Sequence, residues 1–235
     1  MLTIATFNVH GATSEHQALI ELLVDLDVDI LCLQECPEDT ALTIQATLGG
    51  SWEVAWAPAA YLGNALLTRL PMVDVTLLSL SATFTEDRSA VVADLQWKGE
   101  TVQVCCTHLD HVSADNRLEQ WESLTEQVDL TAGVLCGDLN ALTRADYRDP
   151  AWEEIAAVRE QSAWEPPVST LMDAIEAEGF ADAAEGYDIL GTSRFGTRID
   201  YVLLGADCTL TVVGYDTVDV GGISDHSVVV VELRG

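Results

Sequence analysis

Apolar and polar positions along the chain alternate between two periods, and the switches between them mark the elements. Leu2 to Val9 alternates and is rich in β-formers, which predicts a strand broken by His10-Gly11. Glu15 to Leu26 places Leu19, Leu22, Leu23 and Leu26 on one helical face, with Ser14 as N-cap and Gln17 completing a capping box. Asp29 to Gln34 is a continuous apolar strand, closed by Glu35 before Pro37. Asp39 to Leu48 reads as a second helix, stopped by Gly49-Gly50. Trp52 to Trp56 and Asn64 to Thr68 form a strand pair, and Val73 to Leu80 is another strand. Ser89 to Gln96 and Thr101 to His108 pair across the Lys98-Gly99 turn, and Arg117 to Leu130 follows as a helix.

The stretch Ala132 to Leu142 (AGVLCGDLNAL) stands at the centre of this pattern. A short apolar run bounded by glycines predicts a buried strand, with Asp138 and Asn140 at or just past its carboxyl end. In an extended segment these two would point to the same side, toward one small target. They could equally cap the backbone at a strand-to-turn boundary. Between Thr143 and Gly186 the character changes. Two helices are predicted there, Trp152 to Gln161 after Asp149-Pro150 and Val168 to Glu178 after Pro166-Pro167. Strands return at Arg198 to Leu204, Thr209 to Tyr215 and Val228 to Leu233. No tandem repeat or linker interrupts the 235 residues, so one domain with a helical insertion at about 143–184 is expected.

Charge is further from ordinary than the hydrophobic content is. The chain carries 39 acidic against 10 basic residues, a net −29, and Lys98 is its one lysine. The carboxylates are spread along the chain, as on a surface adapted to high salt, where ions screen the self-repulsion. Such a surface argues against tight nonspecific nucleic-acid binding, which needs a basic footprint. A phosphate would have to be met locally, by a metal and a few arginines. The six cysteines mostly lie in apolar runs without zinc-type spacing, so buried reduced thiols are expected. No leader pattern and no apolar run of about 18 residues is found, which points to a cytoplasmic protein that does not insert in membranes. Nothing marks an obligate protein partner.

Chemistry-bearing residues recur at strand edges: Asn8, Glu35, His108, Asp138, Asn140, Asp200, Asp225 and His226. Eight such groups over six segments are hard to assign to independent caps. The segments TFNVHG, LQE, THLDH, GDLNA, RIDYVLL and SDHSVVVVEL, taken in that order from Thr6 to Leu233, resemble the endonuclease/exonuclease/phosphatase family. Its fold is shared by deoxyribonuclease I, exonuclease III-like apurinic endonucleases, neutral sphingomyelinases and inositol polyphosphate 5-phosphatases.

The resemblance implies an α+β fold, a four-layer α/β/β/α sandwich of two mixed β-sheets, with the site where strand ends of both sheets meet. It implies a phosphoesterase using Mg²⁺ or Mn²⁺, with Glu35 as ligand and Asn8 and Asp225 beside it. Carboxylates suit such hard ions. Asp138 would orient or deprotonate the attacking water, and Asn140 would fix water and phosphate. His226, held by Asp200, would contact the phosphate, and His108 would donate to another of its oxygens. Arg88, Arg117 and Arg198 are candidate phosphate contacts, although each could equally pair with a surface acid. One departure is His10, where several nuclease relatives carry an acid; it puts a second metal site in question. The expected reaction is water attack on a P–O bond of nucleic acid or DNA or RNA ends, with a small-molecule or lipid phosphoester as the alternative. A catalytically silent binding module is the reading from another class. The acidic, tryptophan-bearing insertion is expected to act as a lid or substrate wall.

The charge reading makes its own prediction. Thermal melts from low to molar KCl should show a steadily rising midpoint. A flat or falling trend would remove salt adaptation as the reason for the −29 charge.

Overall fold

Twelve strands and five helices alternate along the described residues of this computed structural model, which are 1–11, 16–60, 62–83 and 85–235. The strands are β1 (Leu2–Asn8), β2 (Ile30–Gln34), β3 (Glu53–Pro58), β4 (Gly63–Thr68), β5 (Met72–Leu80) and β6 (Arg88–Trp97). They continue as β7 (Glu100–His108), β8 (Val134–Asp138), β9 (Ala181–Asp182), β10 (Asp200–Leu204), β11 (Thr211–Val218) and β12 (Val228–Arg234). The helices are α1 (His16–Asp25), α2 (Glu38–Leu48), α3 (Ala114–Gln127), α4 (Asp149–Gln161) and α5 (Thr170–Ala177). The N-cap expected at Ser14 lies outside the described residues.

Two six-stranded mixed sheets form, in the orders β11-β12-β1-β2-β4-β3 and β5-β6-β7-β8-β10-β9. The parallel pairs, β1 with β2 and β7 with β8, lie at the sheet centres, and helices make the crossovers between them. The central strands are apolar on both sides because both of their faces are covered. In β1, Leu2 and Ile4 face the other sheet while Ala5 and Phe7 face the first helical layer. In β8, Val134 and Cys136 face between the sheets, and Leu135 faces the layer holding α3 and α5. Three apolar cores therefore separate four layers, as the family resemblance implied. All six cysteines are free, five of them buried. Among the described residues no helix is long and apolar enough to cross a membrane.

Boundaries shift where local chemistry outweighs periodicity. Helix α3 starts at Ala114, earlier than Arg117, because the Asp110 carboxylate accepts the Val112 and Ser113 N–H groups and fixes the entry turn. Helix α4 takes Pro150 into its first turn and starts at Asp149. Strand β10 starts at Asp200, since Thr192 Oγ1 accepts the N–H groups of Ile199 and Asp200. The 143–184 segment is also not purely helical: β9 pairs Asp182 with Leu203 and extends the second sheet. Two residues carry no readable period, which is why the sequence does not announce it.

One contact sets the spacing of the two strands that carry His108 and Asp138. Gly137 lies opposite Thr107, and a Cβ placed on it would sit 2.0 Å from the Thr107 carbonyl oxygen. Backbone stands on both sides, so the strands would have to part. Gly137→Ala is expected to lower stability by about 3 kcal/mol, as overpacking does, measured by urea unfolding. An unchanged midpoint would show that β7 and β8 tolerate a wider gap.

Candidate active site

Strand register builds one row of ionisable groups. His108 is the last residue of β7 and pairs with Asp138, the last of β8; Asp138 in turn pairs with Asp200, the first of β10. All three are buried. The first sheet contributes from the facing side. Asn8 ends β1 beside Gln34, and Glu35 follows in a left-handed turn at φ 49°. The final segment is tied to β1 by Ser224, whose hydroxyl donates to the Asn8 carbonyl (2.7 Å) and accepts from the His226 N–H (3.1 Å).

These groups converge on the Asp138 carboxylate. Its Oδ2 accepts from Asn8 Nδ2 at 3.0 Å and lies 3.6 Å from His108 Nε2 and 3.8 Å from His226 Nε2. Its Oδ1 accepts the Asn140 backbone N–H at 3.0 Å. Asn140 therefore reaches the site through a left-handed turn at φ 50°, a conformation asparagine tolerates, and not through the strand alternation expected from sequence. Asn8 Nδ2 also donates to Glu35 Oε1 at 3.2 Å. His226 Nδ1 and Asp200 Oδ2 are 2.9 Å apart.

Burial first, then the Asp200 carboxylate, push Asp138 up to about 7, against the pull of His226, Asn8 and the Asn140 N–H. For His226, burial works downward, but Asp200, Asp138 and Asp225 outweigh it and raise the imidazole to about 10. A cation thus sits between carboxylates. His108 is the opposite case: burial, Arg88, His226 and His111 hold it well below 6.5. Its Nδ1 faces Arg88 (3.3 Å) and its Nε2 faces the Asn140 amide nitrogen (3.0 Å). A neutral imidazole accepts from only one of these donors, and Asn140 Nδ2 also donates to the Leu109 carbonyl (3.1 Å); with Nδ1 accepting from Arg88, the His108 Nε2–H is left as a donor for an incoming oxygen.

The donor set fits a hard divalent ion on one side of the row. Glu35 Oε2 and Asp225 Oδ1 are buried without hydrogen-bond partners, and both lie within 3.5 Å of His10 Nδ1. Two carboxylate oxygens without hydrogen bonds, met here by the exposed His10 imidazole, suit Mg²⁺ or Mn²⁺ in its place. Asp138, Asp200 and His226 also bring ligand atoms within 4.8 Å of one another. There, however, the Asp200–His226 bond already engages the imidazole.

All eight strand-edge residues are brought together, whereas the arginines are not. Arg88 is buried behind His108 and also contacts His111 Nδ1 (3.0 Å). Arg117 is held by Glu165, and Arg198 by Asp146 (2.8 Å) and Asp182 (2.6 Å). The sequence gives His111 no role, although Arg88 Nη2 meets it at 3.0 Å. It also gives no role to Gln34, buried and bonded to Thr6 and the Cys32 carbonyl. Arg194, on Asp225 at 3.1 Å, carries no sequence signal beyond its charge.

Two facing mixed sheets with acids, amides and imidazoles at their strand ends define a phosphoesterase of the deoxyribonuclease I-like class. The chain belongs to the endonuclease/exonuclease/phosphatase family, whose profile matches residues 5–226. Its fold is similar to that of a mannosyl-6-phosphatase from Bacteroides thetaiotaomicron (17% identity, all of both chains, TM-score 0.75). It is also similar to a conserved protein of unknown function from Enterococcus faecalis (20% identity, all of both chains, TM-score 0.73). The catalytic domain of human nocturnin with bound sulfate is a third (16% identity, 99% of this chain and 93% of that one, TM-score 0.72). Among curated proteins none matches the sequence.

The His108 environment is directly testable. Because its folded pKa is depressed, the unfolded chain takes up the proton first, and stability falls as pH drops below 6.5. Replacing Arg88 by Met removes one depressing charge, so the His108 pKa should rise while burial still keeps it under 6.5. Imidazole nitrogen shifts followed by NMR into acid pH check both; an unmoved titration would show that Arg88 does not govern the ring.

Proposed function

We propose that this protein hydrolyses a phosphoester by direct attack of water, acting as a phosphodiesterase on a nucleic-acid end. The observation that carries this reading is the convergence of Asn8, His108 and His226 on one oxygen of Asp138. Asp138, raised toward neutrality, is matched to accept the proton of the attacking water near physiological pH. His226 stays protonated, and with its Nδ1 on Asp200 it aims Nε2–H at the phosphate. The amide of Asn140 and the Nε2–H of His108 hold non-bridging oxygens, and Asn8 fixes Asp138 and Glu35 relative to each other. Glu35 and Asp225 would hold Mg²⁺ or Mn²⁺, which supplies charge neutralisation at the phosphate. Donors fixed before the reaction stabilise the growing charge without reorganising.

A small-molecule phosphoester is the second reading, and the arginines favour it. Arg117 and Arg159 are paired with Glu165, Arg144 with Asp149, and Arg198 with Asp146 and Asp182, which leaves little basic surface for a duplex. The mannosyl-6-phosphatase of similar fold carries a sugar phosphatase in its name. Both readings share the same attack.

Asp138→Asn should lower kcat by roughly 10³-fold, the scale of general base catalysis, with the thermal midpoint kept. The assay is hydrolysis of bis-p-nitrophenyl phosphate, p-nitrophenyl phosphate, a 5′-modified single strand, plasmid DNA and sphingomyelin, with Mg²⁺ or Mn²⁺, at low and molar salt. EDTA should abolish turnover. Equal rates for the variant and the parent would sink the mechanism.

A further inference from the structure

A cavity opens beside the row of ionisable groups, and most of its lining has no part in the chemistry proposed above. It measures about 780 Å³ and is lined by Asn140 and Arg194 at the catalytic end and by Tyr147, Ile155, Val158 and Trp164 of the insertion. Phe195 closes the opposite side from the loop before β10. That volume lies within the range of small-molecule sites.

Its walls are aromatic and exposed where a core would hide them. Trp164 is 46% exposed and Phe195 52% exposed, and their rings meet edge to face with centroids 5.0 Å apart. The Phe195 loop is preformed. Thr192 and Ser193 both donate their N–H groups to the Thr197 carbonyl, and Gly191 lies so close to Gly196 that a Cβ would sit 2.4 Å from its backbone. Arg194 lies 4.7 Å over the Phe195 ring while contacting Asp225, so a cation joins the aromatic wall to the phosphate site.

The polar groups of the pocket are mostly engaged with each other. Arg159 is paired with Glu165, the Ser193 and Thr197 hydroxyls are 2.9 Å apart, and His111 meets Arg88. A polyol would need these donors and acceptors free, whereas a flat ring needs only the aromatic faces. Resting on the phosphoesterase reading above, we infer that this pocket is a subsite for an aromatic ring carried by the substrate beside the reacting phosphoester, an aryl group or a nucleobase. Trp164 and Phe195 are its specificity-determining residues. Both are half exposed, so truncating them leaves the three cores intact.

The test compares four probes on the parent, Trp164→Ala and Phe195→Ala: phenyl phosphate, adenosine 5′-monophosphate, butyl phosphate and a hexose 6-phosphate. Turnover is measured with Mg²⁺, and binding by calorimetry in the Asp138→Asn background. The two ring-bearing probes should lose about tenfold in kcat/KM and in affinity in each variant, the scale of one stacking contact. Butyl and hexose phosphates should change less than twofold. If only one of the ring-bearing probes responds, the subsite stands and its source, aryl or nucleobase, is named. Equal losses for butyl phosphate, losses confined to the hexose phosphate, or no binding of any ring-bearing probe would overturn the inference. Ring-dependent binding without turnover of any phosphoester, the diesters and nucleic acids of the preceding assay included, would keep the subsite and refute the hydrolase reading instead.

Discussion

The amide of Asn8 is the interaction on which the rest of the site depends. It belongs to the first sheet, yet its Nδ2 donates to Asp138 of the second sheet and to Glu35 at the end of β2. Its carbonyl oxygen accepts the His10 N–H at 2.9 Å, so both ends of one side chain are held. The two sheets also meet through apolar surface, which is strong but has no direction, and through polar contacts away from the site such as Asn64 Nδ2 to the Ser89 carbonyl (2.8 Å). A hydrogen bond at the open end of that interface fixes the relative position of the two halves where fractions of an ångström decide the chemistry. Apolar packing holds the sandwich together, and the Asn8 amide sets its register at the working end.

Much of this was legible in the sequence because the same physics writes both. Central strands buried on two faces must be apolar, so a polar residue ending such a run stands out, as Asn8, Glu35, His108 and Asp138 do. Their ordered recurrence carried the family resemblance and with it the four layers. What could not be read is what depends on turns and on partners far along the chain. Asn140 joins the site through a left-handed turn that an Asp-x-Asn spacing does not specify. Arg198 looked free for phosphate, but Asp146 and Asp182 reach it from 52 and 16 residues away. His111 gains its place only because Arg88, 23 residues earlier, is buried beside it. The pocket wall escaped for the same reason, since the 147–164 segment and Phe195 meet only in three dimensions.

The overall charge and the local cations belong to one account. With 10 basic residues against 39 acids, a free arginine is scarce, and most of those described are neutralised within the fold. Arg88 and Arg194 differ in standing at the catalytic row, one behind His108 and the other on Asp225. Positive charge is therefore concentrated where an anion is to be met, while the remaining surface repels polyanions.

The buried triad of Asp138, Asp200 and His226 shows why the site lies at the sheet ends and not within a core. The Asp200 carboxylate in adjacent register opposes the ionisation of Asp138, and burial opposes it more. A protonated imidazole between them relieves both effects, which is why His226 holds its proton despite being buried. Each group is thus strained by its surroundings in a direction another corrects, and removing one would shift the protonation of the rest. Such a network resolves only where the strands stop and where a metal and a phosphate can complete the charge balance. Deeper between the sheets, the same three groups would have no counter-charge, and the acid pair would have to stay protonated and inert.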